Sequence, residues 1–541
     1  MPRFRGAGVV TSRGTAPAAS VPPSGPTYWP GLDPYGGWPS TTSDGRPLPQ
    51  PLNGQQPPGF AWLVGGSGTA VPISVSLSAA VDNTLAIRNA ISTGAGQVLT
   101  LPGGVKNIRC DGGLELAGAN TTLMGPKWSN PAGLWCAGSA AGLVATATKT
   151  TTYTAVVNDS VTCDSHAGSF AVNLPNAPAD ASVVQVHTVG VVGGGNQVNI
   201  TRQGTDTIEF SAAAVPLAQL NGVGNDAWLT FVYSNSNGSG HGNWSYFGSR
   251  PRVQYDNGAT NCVVANITFT GSNAMKDNGG DHPGGYAQLS AAYAVEKGMR
   301  VYGATTCAEV NCTYVNCGGS GLGISDDSAG NTTPQNILVI NHTSTHCGGN
   351  GWDCNRVSHI LTYGYVCRLV GQLGLDMEPN GTDVGETVEY LEVSYFSMGA
   401  WRSPIIGGHG TSGPNQHDVS NINIHDGELF GTDPTQTNAL IASNIGGANN
   451  LLSNWTVQRV TINAGFSPNC TTAPGGAINF QYIQNGLVDS CNFHTVTATG
   501  LVVFQSCTAP MVVTNNTLGA LSAYIDNGGN TGSITSSGNH P

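Results

Sequence analysis

Charge is what this chain has least of. Only 9% of its 541 residues are Asp, Glu, Lys or Arg, and 31 acids outnumber 19 bases for a net charge of −12. Such a surface repels phosphate, which excludes nucleic acid and anionic membranes as partners. No run of 18 apolar residues exists, so nothing is built to span a bilayer. The opening MPRFRGAGVV carries arginines but an apolar run too short for a signal-peptide core. No P-loop, dinucleotide fingerprint or Ser-His-Asp arrangement can be read from the residues. Metal-ligand spacing is missing as well. Among the 13 cysteines, Cys307, Cys312 and Cys317 recur every five residues, which suits no zinc site. They read instead as small apolar core residues.

What is plentiful is Gly (76) and Pro (31), with abundant Asn, Ser, Thr and Val. That mixture disfavours helical bundles and favours many short strands joined by tight turns. Residues 1–75 are rich in Pro and Gly with aromatic interruptions such as YWPGLDPYGGWP, an irregular arm suited to docking on another protein. Residues 76–149 hold a short helix over DNTLAIRNAI, with Asp82 placed as its cap, and then strands in QVLTLPGG and GLELAGANTTLMG. Residues 150–249 alternate apolar and polar between Gly/Asn/Asp turns, the pattern of an inserted β-sandwich.

From 250 to 541 one motif repeats. NCVVANITF, AEVNCTYV, NILVINHT, HILTYGYV, EYLEVSYF, NINIHDGEL, NWTVQRVTI, GLVDSCNF and PMVVTNNT follow one another. AINFQ and LVVFQ align 24 residues apart, and Asn492 and Asn516 are expected to stack in the same way. A period in the twenties to low thirties with short strands and recurring Asn marks a parallel β-helix. Asn residues stacked at its corners can bond each other's amides along the axis.

DNTLAIRNAI…QVLTLPGG…LELAGANTTLMG resembles the opening segment of the pectate-lyase-like right-handed β-helix superfamily, with Asp82-Asn83-Thr84 where that family usually has Asp-Asp-Thr. The block containing VNLPNAP, NQVNITRQGTDTIEF and NWSYFG resembles β-domains of bacteriophage tail fibres. The resemblance implies an all-β fold: a right-handed parallel β-helix with an inserted β-sandwich-like domain and an irregular N-terminal arm. It also implies a virion tail protein, tailspike- or fibre-like and homotrimeric, recognising a host cell-surface polysaccharide. The arm would join it to other tail proteins, and lysis rather than a signal peptide would release it. An extracellular bacterial polysaccharide hydrolase or lyase, and a purely structural tail-tip component, remain as alternatives. Few basic residues follow Lys297, which disfavours a polyuronate lyase.

Three coils carry the candidate chemistry. Aligning GLGISDD, GWDCN and GLDMEPN puts Leu322, Trp352 and Leu375 inward, and Gly323, Asp353 and Asp376 in one outward stack followed by Ser325, Asn355 and Glu378. Adjacent coils place Asp353 and Asp376 about 5 Å apart, and Asp376 and Glu378 lie about 6.5–7 Å apart along one strand. Paired carboxylates at such separations suit glycoside hydrolysis. Asp353, Asp376 and Glu378 are thus the candidate catalytic acids, with Asp327, Asn355, Trp401 and Arg402 as candidate sugar-binding groups. No cofactor is called for, although calcium at the acidic stack fits the same residues. Binding without turnover, and acids that merely end strands, explain the same pattern. An active groove requires these acids to stand open to solvent.

Overall fold

The computed structural model describes residues 70–541 except 127–129, 138–142, 189–195, 218–227, 248–250, 272–296, 318, 326–332, 372, 378, 380–386, 401–402, 408–417, 432–440, 444–450, 464–475, 495–499 and 520–521. Residues 1–69 of the N-terminal arm therefore lie outside the described residues, while Val71–Pro72 near its end pairs in parallel with Val98–Thr100.

The chain forms a right-handed parallel β-helix. Among the described residues, eleven parallel strands, from Leu114–Leu116 to Ser522–Asp526, build one sheet in sequence order. A further 21 strands form the remaining walls, and strands such as Asp418–Gly431 run through a corner to serve two ladders at once. Each short strand has too few residues to hold itself, so inward side chains are buried only by the coils above and below. Leu322, Trp352 and Leu375 are in register and fully buried, as the alternation predicts. Aromatic rings stack along the interior: Phe480 lies 6.1 Å from Phe504, and Phe504 lies 6.2 Å from Tyr524.

The corners explain the recurring Asn. Residues following equivalent strand positions adopt positive φ coil after coil, at Asn336, Asn421, Asn454 and Asn485 in one column and at Asn266, Asn311 and Asn341 in another. Asn tolerates the left-handed region better than other residues with a Cβ. Its amide then reaches the next coil: Asn454 Nδ2 donates to Asn421 Oδ1 at 2.9 Å, and Asn341 Nδ2 to Asn311 Oδ1 at 2.7 Å. The Asn492–Asn516 stack does not form. Asn492 pairs with Thr517, while Asn516 turns inward and donates to Asn539 at 3.0 Å. The AINFQ/LVVFQ alignment holds, with Ile478 opposite Val502.

Helix α1 (Thr84–Thr93) closes one end of the solenoid. Its N-cap is Asn83 rather than Asp82. The Asp82 carboxylate instead accepts from the Thr84 N–H and hydroxyl and from the Asp111 N–H. Burial, then the charge of Asp111, push the Asp82 pKa up to about 6. Strands between Val144 and Phe247 form a four-stranded and a six-stranded sheet around a separate core that includes Val161, Phe231 and Trp244. Buried Arg109 ties this unit to the first coils through Asp111 at 2.7 Å and Asp180 at 2.5 Å. The twelve described cysteines are all buried, in keeping with their reading as core residues.

Candidate functional site

One face of the eleven-stranded sheet carries a continuous outward row. Strand register aligns Glu115, Gln254, Arg300, Gly323, Asp353 and Asp376, one residue per coil. The spacing along such a row is about 4.8 Å. The expected stack of Gly323, Asp353 and Asp376 is thus present, and the row reaches three coils further toward α1.

Two of its acids are not open. Asp353 is 9% and Asp376 4% exposed, although both point away from the apolar interior. Asn350 joins them: its Nδ2 donates to Asp353 Oδ1 at 2.5 Å and to Asp376 Oδ2 at 3.0 Å. Two carboxylate oxygens therefore lie within about 5.5 Å of each other, the sum of those bonds. Asn350 Oδ1 accepts from the Leu373 N–H, and the Asn350 N–H donates to Ser320 Oγ, so this amide clamps three coils together. The Ser320 hydroxyl donates to Asp353 Oδ2 at 2.6 Å, and Lys297 Nζ stands 3.3 Å from the same oxygen.

Gly323 makes the lysine contact feasible. A Cβ there would come within 2.8 Å of the Lys297 side chain, so the missing side chain is the notch through which Lys297 crosses to Asp353. Next in the row, the Arg300 guanidinium lies 4.3 Å over the Tyr302 ring. Asn355 sits beyond Cys354, partly exposed. Asp327, Glu378, Trp401 and Arg402 lie outside the described residues. Among the described residues, no group of three or more acid, His or Cys side chains is placed to hold a metal ion, and no helix is long and apolar enough to cross a membrane.

Lys297, Ser320 and Asn350 escaped the sequence reading, yet a signal existed. Each stands two residues before an inward member of one rung, Met299, Leu322 and Trp352. Extending the alignment two residues upstream and one coil down brings all three together.

A second polar group was invisible in the sequence. Glu309, His342 and Ser344 meet inside the solenoid: both Glu309 oxygens lie 2.9 and 3.0 Å from His342 Nδ1, and His342 Nε2 is 2.5 Å from Ser344 Oγ. The order resembles a nucleophilic triad, but the three residues are 1%, 0% and 0% exposed. With no access for substrate, this is a core brace. Further along the wall, Arg459 binds Asp426 through two bonds of 2.7 Å, and His425 bridges Asp426 and Glu392. Burial alone would lower the His425 pKa, but its bonds to Asp426 and Glu392 raise it to about 9.

No family model and no curated protein matches the chain. Solved structures similar to it include a surface adhesin of Streptococcus pneumoniae (10% identity, 87% of this chain and 89% of that one, TM-score 0.37). An endo-xylogalacturonan hydrolase from Aspergillus tubingensis follows (13% identity, 87% and 92%, TM-score 0.32). So does a tailspike protein from an Acinetobacter baumannii bacteriophage, a capsular polysaccharide depolymerase (12% identity, 87% and 58%, TM-score 0.33). The strand register, not these likenesses, carries what is said of the site.

Proposed function

We propose that the outward row from Glu115 to Asp376 is the glycan-binding face of a virion tail protein that recognises a host-surface polysaccharide. One observation carries this reading: charged or amide side chains stand on five of six aligned coils, Gly323 being the exception, with Tyr302 beside them. A polysaccharide also repeats along its length, and sugars are held by hydrogen bonds together with stacking on aromatic rings. In this reading Asn350 and Lys297 hold the covered acids Asp353 and Asp376 rigid beneath the face, so ligand meets a pre-organised surface above them. Asn355, Trp401, Arg402 and Asp327 extend the face. The arm over residues 1–75 attaches to other tail proteins, and the working form is a homotrimer.

A second reading rests on the two carboxylates bridged by Asn350. Their separation suits a retaining hydrolase, with Glu378 as a third acid. It requires the cover over Asp353 and Asp376 to open, because a catalytic acid must touch the glycosidic oxygen.

Binding is tested by titrating bacterial surface polysaccharides into wild-type and Arg300→Ala protein. A loss of at least tenfold on substitution supports the face, and equal affinity removes it. Turnover is tested by reducing-sugar release from the bound polysaccharide, against an Asp376→Asn/Glu378→Gln protein. If both proteins bind and neither releases sugar, the hydrolase reading fails.

A further inference from the structure

The row ends against α1 in a recess that its last two members, Gln254 and Glu115, share with the helix. Its volume is about 320 Å³, and Arg88, Ile91, Leu114, Glu115, Ala117 and Gln254 line it. This lies at the small end of ligand sites, roughly 300–1,000 Å³, with room for one sugar ring rather than a length of polymer. Three parts of the molecule meet here. Helix α1 supplies Ile91 and Arg88, the coils supply Leu114 and Gln254, and the inserted unit braces Arg88 through Glu209.

The lining has a definite chemistry. Ala95 and Ala117 present exposed methyl groups in front of buried Ile91 and Leu114, a small apolar patch suited to the C–H face of a pyranose. Glu115 is exposed at the mouth and offers carboxylate oxygens to hydroxyl groups. Gln254 beside it has its amide nitrogen held between Asp256 Oδ1 at 3.0 Å and Glu115 Oε1 at 3.4 Å, which fixes the amide plane. Among the described residues, the one cation in the lining is already engaged. Arg88 donates to the Gly113 carbonyl at 2.9 Å, pairs with Glu209 at 2.7 Å and lies over the Phe210 ring. An anionic sugar would meet the Glu115 charge, and among the described lining residues no cation is left to answer it.

We infer that this recess binds the terminal unit of a glycan, a neutral hexopyranose, where the chain lying on the row meets the wall made by α1. The inference rests on the glycan-face reading for the direction of the chain, but the pocket has its own test. Methyl glucosides, galactosides and mannosides are offered at millimolar concentration to the full chain, and binding is read by saturation-transfer NMR. Ala117→Trp fills the recess from an exposed position, Glu115→Gln removes the acceptor charge, and Arg300→Ala alters the row outside it.

At least one neutral glycoside is expected to bind wild type and Arg300→Ala alike. The same glycoside should bind at least tenfold more weakly to Glu115→Gln and be lost from Ala117→Trp, with an unchanged melting temperature. Equal binding by Ala117→Trp, or no binding of any glycoside to wild type, overturns the pocket. If polymer binding still falls in Arg300→Ala under that outcome, the row stands and only the pocket is lost. Glycoside binding without polymer binding supports the pocket and removes the row.

Discussion

Replacing Glu309 alone should destabilise this protein more than replacing Glu309 and His342 together. Glu309 stands in register between Val264 and Val339, both fully buried. Valine at 309 therefore matches its neighbours in shape, and the damage comes from stranding His342. His342 is itself stacked between Tyr314 and Tyr365 at 5.1 Å from each ring, so Phe at 342 keeps the stack and strands Glu309 instead. Breaking a buried pair by removing one partner costs about 3–5 kcal/mol, whereas replacing both with well-packed apolar groups is often neutral. The double-mutant cycle should thus give a coupling of about 3 kcal/mol or more. A chain with two cores is not expected to unfold in one reversible step, so the unfolding rate is the proper readout. Tryptophan fluorescence in guanidinium follows it, helped by buried Trp352 at 5.8 Å from Tyr365. A coupling of ~3 kcal/mol corresponds to roughly a hundredfold in rate if the brace opens in the transition state. Glu309→Val and His342→Phe should each speed unfolding by that order, and the double variant by less than tenfold. Single variants that unfold at the wild-type rate, or a double variant as fast as the product of the singles, would refute the brace.

Three further outcomes are expected. The His425 pKa is raised to about 9 from an unfolded value near 6.5, so its contribution is complete below about pH 6.5 and fades as pH rises through 9. Melting temperature should fall across that window in wild type and stay flatter in His425→Gln; parallel curves would exclude the link. At Asn454, with φ of +58°, Ala should destabilise more than Gly, because both lose the ladder bonds but only Ala meets the roughly 1–2 kcal/mol left-handed penalty. Chemical denaturation ranks them, and an Ala variant as stable as Gly contradicts the corner account. At Gly427 a Cβ would come 2.4 Å from the Phe396 ring, so Gly427→Ala should cost about 1–3 kcal/mol and be relieved by adding Phe396→Leu. Thermal unfolding of the pair checks this, and absence of relief rules out that contact as the cause.

The solenoid was legible because its repeat is local. Inward Leu322, Trp352 and Leu375 alternate with outward residues inside strands of a few residues each, and the Asn corners mark where the chain bends between walls. The Asp353–Asp376 rung was legible for the same reason. Asn350 and Ser320 were missed although they stand three residues before Asp353 and Gly323 of the row, because they act from the turn and turns show no alternation. Lys297 was harder still. Its partner Asp353 is two coils away, and only the missing side chain at Gly323 lets it cross.

The sequence by itself determined the parallel β-helix, the register of its acidic rung and the amide ladders at its corners. These follow from alternation and period, which every coil repeats. Only the tertiary structure decided that Asp353 and Asp376 are covered and clamped by Asn350. It alone brought Glu309, His342 and Ser344 together in the core and closed the row against α1. Exposure and cross-coil contact depend on which turns and inserts fold over a strand, and those segments carry no periodic signal.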